Sequence, residues 1–286
     1  MNFGGINSEY SSFENATFVV VPVPYDLTTT YQAGARKGPS AIIDASCQVE
    51  LYDEELRAET YLSGIHTLSP LEVEAGGPEK MIETVRERIS YILSFGKIPV
   101  IIGGEHSISL GSVQAMKEKY PTLSVLHLDA HADMRDSYQG TPFSHACVSR
   151  RISEICPVVQ VGIRSMSAEE ATFIKENGIK IFPPDFLHEN PLWERGICKN
   201  LSKDVYVTID LDVLDPSIMP AVGTPEPGGV YWKDLTRLVR EVSNNCKIRG
   251  FDIVELTPIP GMVAPDYTAA KLTYRVMGYI NDSVDL

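Results

Sequence analysis

No two of the five cysteines (Cys47, Cys147, Cys156, Cys198 and Cys246) fall in a CxxC pair, and the total is odd. That excludes a disulfide framework and a zinc ribbon, and it points to a reducing, cytoplasmic compartment. A run of about 18 apolar residues, which a membrane-spanning helix needs, is also missing. The opening MNFGGINSEYSSFENA has neither a basic start nor an apolar stretch, so it does not read as a signal peptide. Positive charge is scarce: 25 Lys plus Arg stand against 38 Asp plus Glu, a formal net charge of −13. Such a balance repels phosphates, so we expect no nucleic acid and no membrane partner, while a cationic ligand is compatible. Internal repeats, low-complexity tracts and a dividing linker are lacking too, and residues 1–286 are expected to form a single domain.

What is present is a hydrophobic fraction of 43%, enough for a sizeable core. It is arranged as short β-branched runs between longer segments of helical period. The strand candidates are Phe18–Val23, Ile98–Ile102, Leu123–Leu128, Val158–Ile163, Ile179–Phe182, Val205–Ile209 and Ile248–Val254. Several are continuously apolar, as strands buried on both faces of a parallel sheet must be. Helical patterns cover Glu79–Phe95, Ile108–Lys119, Ala168–Asn177, Lys233–Ser243 and Asp266–Ile280. Ser167 with Glu170 reads as a capping box for the third, and Gly178 as its stop. The alternation predicts an α/β fold, a three-layer αβα sandwich with a mostly parallel sheet.

Ligands of open parallel sheets sit beyond the carboxyl ends of the strands. There the sequence places Gly103-Gly104-Glu105-His106-Ser107, Asp129-Ala130-His131-Ala132-Asp133 and Asp210-Leu211-Asp212. Each alone has a plainer reading: a helix-start histidine, or a turn with solvated carboxylates. Together they put four aspartates and two histidines on one edge of the sheet. Carboxylates that close destabilise the fold unless cations hold them. Carboxylate and imidazole ligands without thiolate favour Mn²⁺ over structural Zn²⁺. Six protein ligands suit two ions about 3.5–4 Å apart better than one. Glu255, after IRGFDIV, lies on the same edge and either grips a cationic substrate or is a structural salt-bridge partner. His145, in Phe143-Ser144-His145-Ala146-Cys147, is either a mobile acid/base or a cap neighbour.

The ordered segments GGEHS (103–107), LDAHAD (128–133), Ser144-His145, TIDLDVLDPS (208–217), GTPEPGG (223–229) and FDIVELTP (251–258) resemble the ureohydrolase (arginase/agmatinase) family. The early PVPYD and GARKGPSAI segments are similar to agmatinases. The resemblance implies an eight-stranded, arginase-like sheet and two Mn²⁺ per chain, with Ni²⁺ a second candidate. His106, Asp129, Asp133 and Asp210 would hold one ion, and Asp129, His131, Asp210 and Asp212 the other. The family's chemistry, attack of a metal-activated water on a guanidinium carbon, implies a role for each remaining group. Asp133 would take the proton of the nucleophile and pass it to the leaving amine. His145 would shuttle protons to solvent, and Glu255 would salt-bridge the guanidinium. The partner implied is a small cationic guanidino substrate, and the assembly a homotrimer or homohexamer.

Where arginases carry an Arg-Asp-x-Asp element for the amino-acid end of arginine, this chain has Arg164-Ser165-Met166-Ser167. That points away from arginine and toward agmatine, hydrolysed to putrescine and urea in polyamine biosynthesis. The stretch around His145 departs from many bacterial agmatinases, since Thr141-Pro142-Phe143 precede the histidine instead of following it. N1-aminopropylagmatine, guanidinobutyrate and guanidine therefore stay open as substrates. Two other classes compete. A two-metal phosphatase would want a cation where Glu255 stands. A non-catalytic metal-binding scaffold would be marked by loss of a ligand, and all six are present.

Overall fold

Each residue of Phe18–Val23 is buried, and alternate side chains enter two different hydrophobic clusters: Phe18 and Val20 one, Val19, Val21 and Val23 the other. This is the signature of a sheet covered on both faces, and the computed structural model, which describes residues 2–189 and 191–283, is built around one. In chain order the strands are β1 (Phe18–Val23), β2 (Tyr52–Asp53), β3 (Ala58–Glu59), β4 (Ile65–Thr67), β5 (Ile98–Gly103), β6 (Ser124–Leu128), β7 (Val158–Val161), β8 (Lys180–Phe182), β9 (Asp204–Asp210) and β10 (Lys247–Val254). β2 and β3 form a small antiparallel hairpin. The other eight make one sheet in the order β4-β1-β5-β10-β9-β6-β7-β8, every pairing parallel.

The helices are α1 (Ser8–Ser11), α2 (Gly38–Ser46), α3 (Pro78–Ser94), α4 (Ser109–Lys119), α5 (Val148–Ser153), α6 (Ala168–Asn177), α7 (Pro184–Glu189), α8 (Trp193–Cys198), α9 (Trp232–Asn245) and α10 (Ala264–Asp282). Apolar residues of α3, α4 and α5 join Val19 and Val21 on one face, and those of α2, α7, α8, α9 and α10 join Phe18 and Val20 on the other. The result is a three-layer αβα sandwich. Ser167 and Glu170 do form a reciprocal capping box at the start of α6, and Gly178 closes that helix at φ 65°. Among the described residues no helix is long and apolar enough to cross a membrane.

Four strands are neighbours in the middle of the sheet: β5, β10, β9 and β6. Parallel strands in register end together, so the four loops that follow them meet at one edge of the sheet.

Candidate metal centre and cavity

His106 opens a turn directly after β5, Asp129 follows β6, Asp210 ends β9 and Glu255 follows β10. The local backbone ties these loops together. Asp129 accepts a hydrogen bond from the N–H of His131 at 2.6 Å, and Asp210 accepts one from that of Asp212 at 2.8 Å. Both are Asx turns, which is why an Asp opens each loop. Asp212 in turn accepts from the N–H of Ala130 at 2.9 Å and so stitches the β9 loop to the β6 loop. Gly104 is needed for close approach: a Cβ there would lie 2.0 Å from the Tyr25 carbonyl oxygen. Asp133 and Glu255 both adopt left-handed backbone, at φ 51° and 67°, which costs roughly 1–3 kcal/mol for a residue with a Cβ.

The side chains converge. His106 Nδ1 lies 3.0 Å from Asp129 Oδ2, 3.3 Å from Asp210 Oδ2 and 3.5 Å from Asp133 Oδ2. His131 Nδ1 lies 2.8 Å from Asp212 Oδ2 and 3.6 Å from Asp129 Oδ1. Asp129 therefore belongs to both groups, one oxygen toward each, while Asp210 sits with the first. His106 Nδ1 and Asp129 Oδ2 are fully buried without a hydrogen-bond partner. A buried polar atom in that state costs about 1–3 kcal/mol unless something else satisfies it. This donor set, oxygen-rich with imidazole and sharing one carboxylate, fits two divalent cations.

The electrostatics describe the same demand. Burial, and then the Asp129 charge, push the Asp133 carboxyl well above the usual range, and burial with Asp212 and Asp129 does the same to Asp210. Burial and Asp129 also raise Asp212. Burial opposes charge on His131, yet hydrogen bonds from its ring to the Asp129 and Asp212 carboxylates overcome it and lift the imidazole to about 12. His106 is raised in the same way, burial notwithstanding, by Asp129 and Asp210. Positive charge at the centre of these carboxylates is strongly favoured.

One layer deeper runs a row of polar side chains that the sequence reading did not single out. Gln160, His127, Thr208 and Asp252 are partners in register across β7, β6, β9 and β10, and all four are fully buried. Asp252 accepts from the hydroxyls of Thr208 at 2.6 Å and Tyr206 at 2.7 Å. With its proton so engaged, Thr208 accepts from His106 Nε2 at 2.8 Å, so Nδ1 is the ring nitrogen that faces the carboxylates. At the other end, the Gln160 amide donates to the Ala132 carbonyl at 2.7 Å and to His127 Nδ1 at 2.8 Å. His127 therefore carries its hydrogen on Nε2, 3.0 Å from Asp129 Oδ2. The available signal was positional: His127 lies two residues before Asp129 along an extended chain and so shares its face.

Above the cluster is a cavity of about 260 Å³ lined by His106, His131, Asp133, His145, Asp210, Asp212 and Glu255, with Asp129 buried beneath. Glu255 is anchored by one oxygen, Oε1, which accepts the His106 backbone N–H at 2.7 Å. Its other oxygen faces Gly223 on the cavity wall, 3.9 Å from where a Cβ would stand. Burial, and next the Glu105 charge, raise this carboxyl to about 8, so a bound cation would be welcome. His145 lies at the cavity wall beside Thr28, Ser144 and Tyr138. Burial and the positive charge of His106 and His131 lower it to about 4, so its ring is neutral at pH 7.

Ser165, Met166 and Ser167 form part of the same wall with Tyr31, Gln32 and Thr224. Ser167 spends its hydroxyl capping α6, accepting from the N–H of Glu170 at 3.3 Å. Arg164 donates to the carbonyls of Gly162, Asp212, Val213, Glu226 and Pro227, pinning the β9 loop against the 226–227 turn. All eight side chains singled out from sequence thus meet around one cavity, and Glu105, Thr28 and the buried polar row are added to them.

Comparison with known proteins gives the same direction. The family described as "Arginase family" matches residues 16–278. The N(1)-aminopropylagmatine ureohydrolase of Synechocystis sp. is 39% identical over 281 residues, 96% of this chain and 92% of that one. The agmatinase of Bacillus anthracis is 36% identical over 254 residues, 87% of each chain. Among solved structures, the agmatine ureohydrolase of Thermoplasma volcanium superposes with a TM-score of 0.89 at 32% identity, over 96% of this chain and 93% of that one.

Proposed function

The chain belongs to the arginase family, and from that membership we propose that it hydrolyses the guanidino group of a linear cation, agmatine or its N1-aminopropyl derivative. Water adds at the guanidinium carbon, the bond from that carbon to the nitrogen bearing the alkyl chain breaks, and that nitrogen takes up the water's protons, so urea leaves beside an alkylammonium. The observation that carries the reading is Glu255: a buried carboxylate beyond the two ligand groups, with one oxygen fixed and the other turned to the cavity. A phosphatase would need a cation there.

His106, Asp129, Asp133 and Asp210 would hold one divalent ion, and Asp129, His131, Asp210 and Asp212 the other, as the sequence resemblance implies. Two manganese ions, or nickel in their place, would supply an activated water and electrostatic stabilisation of the charge that develops. The chain's own groups do the rest. Glu255 accepts the guanidinium on its cavity-facing oxygen and fixes the carbon over the cluster. Asp133 accepts a proton and returns it to the departing nitrogen. His145, neutral at working pH, passes protons between the cavity and bulk water.

The longer substrate has its own support. The curated relatives at 39–40% identity bear the name N(1)-aminopropylagmatine ureohydrolase, whereas those named agmatinase stand at 35–36%. Tyr31, 79% exposed, marks the open end of the cavity where an aminopropyl arm would emerge. The same membership supports a homotrimer or homohexamer in the cytoplasm. Urea release from agmatine, N1-aminopropylagmatine, guanidinobutyrate, guanidine, arginine and a phosphate ester, with Mn²⁺ or Ni²⁺ added, tests the reading. Turnover of the ester alone would overturn it.

A further inference from the structure

Glu105 is completely buried, and among the described residues no cation pairs with it. It lies next to His106 in sequence but turns away from the ligand groups, toward the loop after β1. Its Oε2 accepts the backbone N–H of Thr28 at 2.5 Å, and its Oε1 accepts the hydroxyls of Thr28 at 2.6 Å and Ser107 at 2.5 Å. A carboxylate buried this deeply is costly, and its three donors say what it is there to hold. The residue held is Thr28.

Thr28 in turn touches His145. Its Oγ1 accepts the His145 backbone N–H at 3.1 Å and lies 3.2 Å from His145 Nδ1. A threonine hydroxyl has one hydrogen and two lone pairs. The hydrogen is committed to Glu105 and one lone pair to the His145 N–H, so a lone pair remains for the ring. A ring nitrogen facing a lone pair must carry the hydrogen itself. Ser144 Oγ stands at the same 3.2 Å from Nδ1, but its hydroxyl is free to turn either way and dictates nothing. Thr28 decides.

We propose that Glu105, acting through Thr28, is a positioning residue that locks His145 as its Nδ1–H tautomer and leaves Nε2 as the proton acceptor of the cavity. The proposal rests on the reading of His145 as a proton carrier. It explains why a glutamate precedes the ligand His106, and why the loop carrying Thr28 is drawn into the site. The proton taken up at Nε2 is returned to solvent from the same atom, so no other group changes.

Glu105→Gln inverts the pattern. The amide oxygen must face the Thr28 N–H, which puts the amide nitrogen at the Thr28 hydroxyl. Thr28 then accepts from the amide and donates its own hydrogen to His145 Nδ1, which moves the ring hydrogen to Nε2. Thr28→Val removes the contact with little change of shape, and Thr28→Ser keeps it.

The test uses the full chain, with ¹⁵N-labelled histidine read by NMR in the presence of diamagnetic Mg²⁺, and His145→Phe to assign the signal. The same proteins, loaded with Mn²⁺ and checked for metal content, are assayed for kcat and KM with agmatine. Expected is an Nδ1–H signature for His145 in the parent and in Thr28→Ser, and an Nε2–H signature in Glu105→Gln. In Thr28→Val and Glu105→Gln, kcat should fall at least about tenfold with KM within about twofold, and added imidazole should restore part of the rate. An Nε2–H ring in the parent overturns the proposal. So does equal loss in Thr28→Ser and Thr28→Val, which would be structural damage. Full activity of His145→Phe beside the expected tautomers would instead uphold the lock and remove His145 from the proposed mechanism.

Discussion

Glu255 and His106 are joined by a 2.7 Å hydrogen bond from the His106 backbone N–H to Glu255 Oε1. They lie 149 positions apart and follow β10 and β5, which pair in parallel. The candidate substrate carboxylate and the first candidate metal ligand therefore cannot move independently. Whatever is held between them is located by the sheet itself.

That bond makes Glu255→Gln more severe than loss of charge alone. The His106 N–H requires an acceptor, so the amide oxygen takes the Oε1 position and the amide N–H₂ is turned to the cavity, where it faces the guanidinium donors. We expect KM to rise and kcat to fall, with kcat/KM down by about 10²–10³-fold and metal content unchanged. Asp133→Asn should behave differently, losing kcat far more than KM rises. Identical kcat and KM effects in the two variants would contradict the division of roles.

Removing divalent cations should cost stability as well as activity. Asp133, Asp210 and Asp212 then face one another and Asp129 in a buried site. Chelation is expected to lower the thermal midpoint by several degrees, and readdition to restore both, Mn²⁺ best. Metal analysis should find two equivalents per chain. A single equivalent of zinc with full activity would refute the two-ion reading.

Substrate choice follows from the wall at Ser165 and Ser167. Ser167 is engaged in capping α6, so the wall offers no anionic pair to an α-ammonium and α-carboxylate. A zwitterionic end would find neutral hydroxyls where an anionic pair is needed for its ammonium. Agmatine or N1-aminopropylagmatine should exceed arginine in kcat/KM by at least about 10²-fold in a side-by-side assay at equal Mn²⁺. Arginine winning would overturn this specificity.

A pH series bears on His145. Its folded pKa is lowered to about 4 by burial and by the charges of His106 and His131, whereas an unfolded histidine titrates near 6.5. Between those values the unfolded chain binds the extra proton, so this residue's contribution to stability is whole above pH 6.5 and declines as pH falls toward 4. Urea denaturation of His145→Phe should show a shallower loss of stability over that window than the parent. Equal slopes would mean that the imidazole is not buried as described.

Much of this arrangement could be read from the chain. β1, β5, β6, β9 and β10 stood out because strands covered on both faces are rich in apolar, β-branched residues, and the candidate ligands because each follows such a run. β4 was missed: Ile65–Thr67 is three residues at the sheet edge, too short for a period. α2 was missed because Gly38-Pro39 reads as a turn, although proline is well placed in a first helical turn. His127, Gln160, Thr208 and Asp252 were invisible for another reason. Each is one polar residue inside a strand, and what gives it a partner is register between strands far apart in sequence. Glu105 and Thr28 share that difficulty, being 77 residues apart.

The left-handed backbone at Asp133 and Glu255 has a consequence for how activity is lost. Each carries roughly 1–3 kcal/mol of conformational strain that only a complete surrounding structure can enforce. Released from its neighbours, either residue relaxes to an ordinary conformation and its carboxylate swings out of place. Catalytic competence is therefore expected to be the last property gained when the chain folds and the first surrendered when it warms. Inactivation on heating should precede melting of the sheet, and cooling before the sheet melts should return the activity.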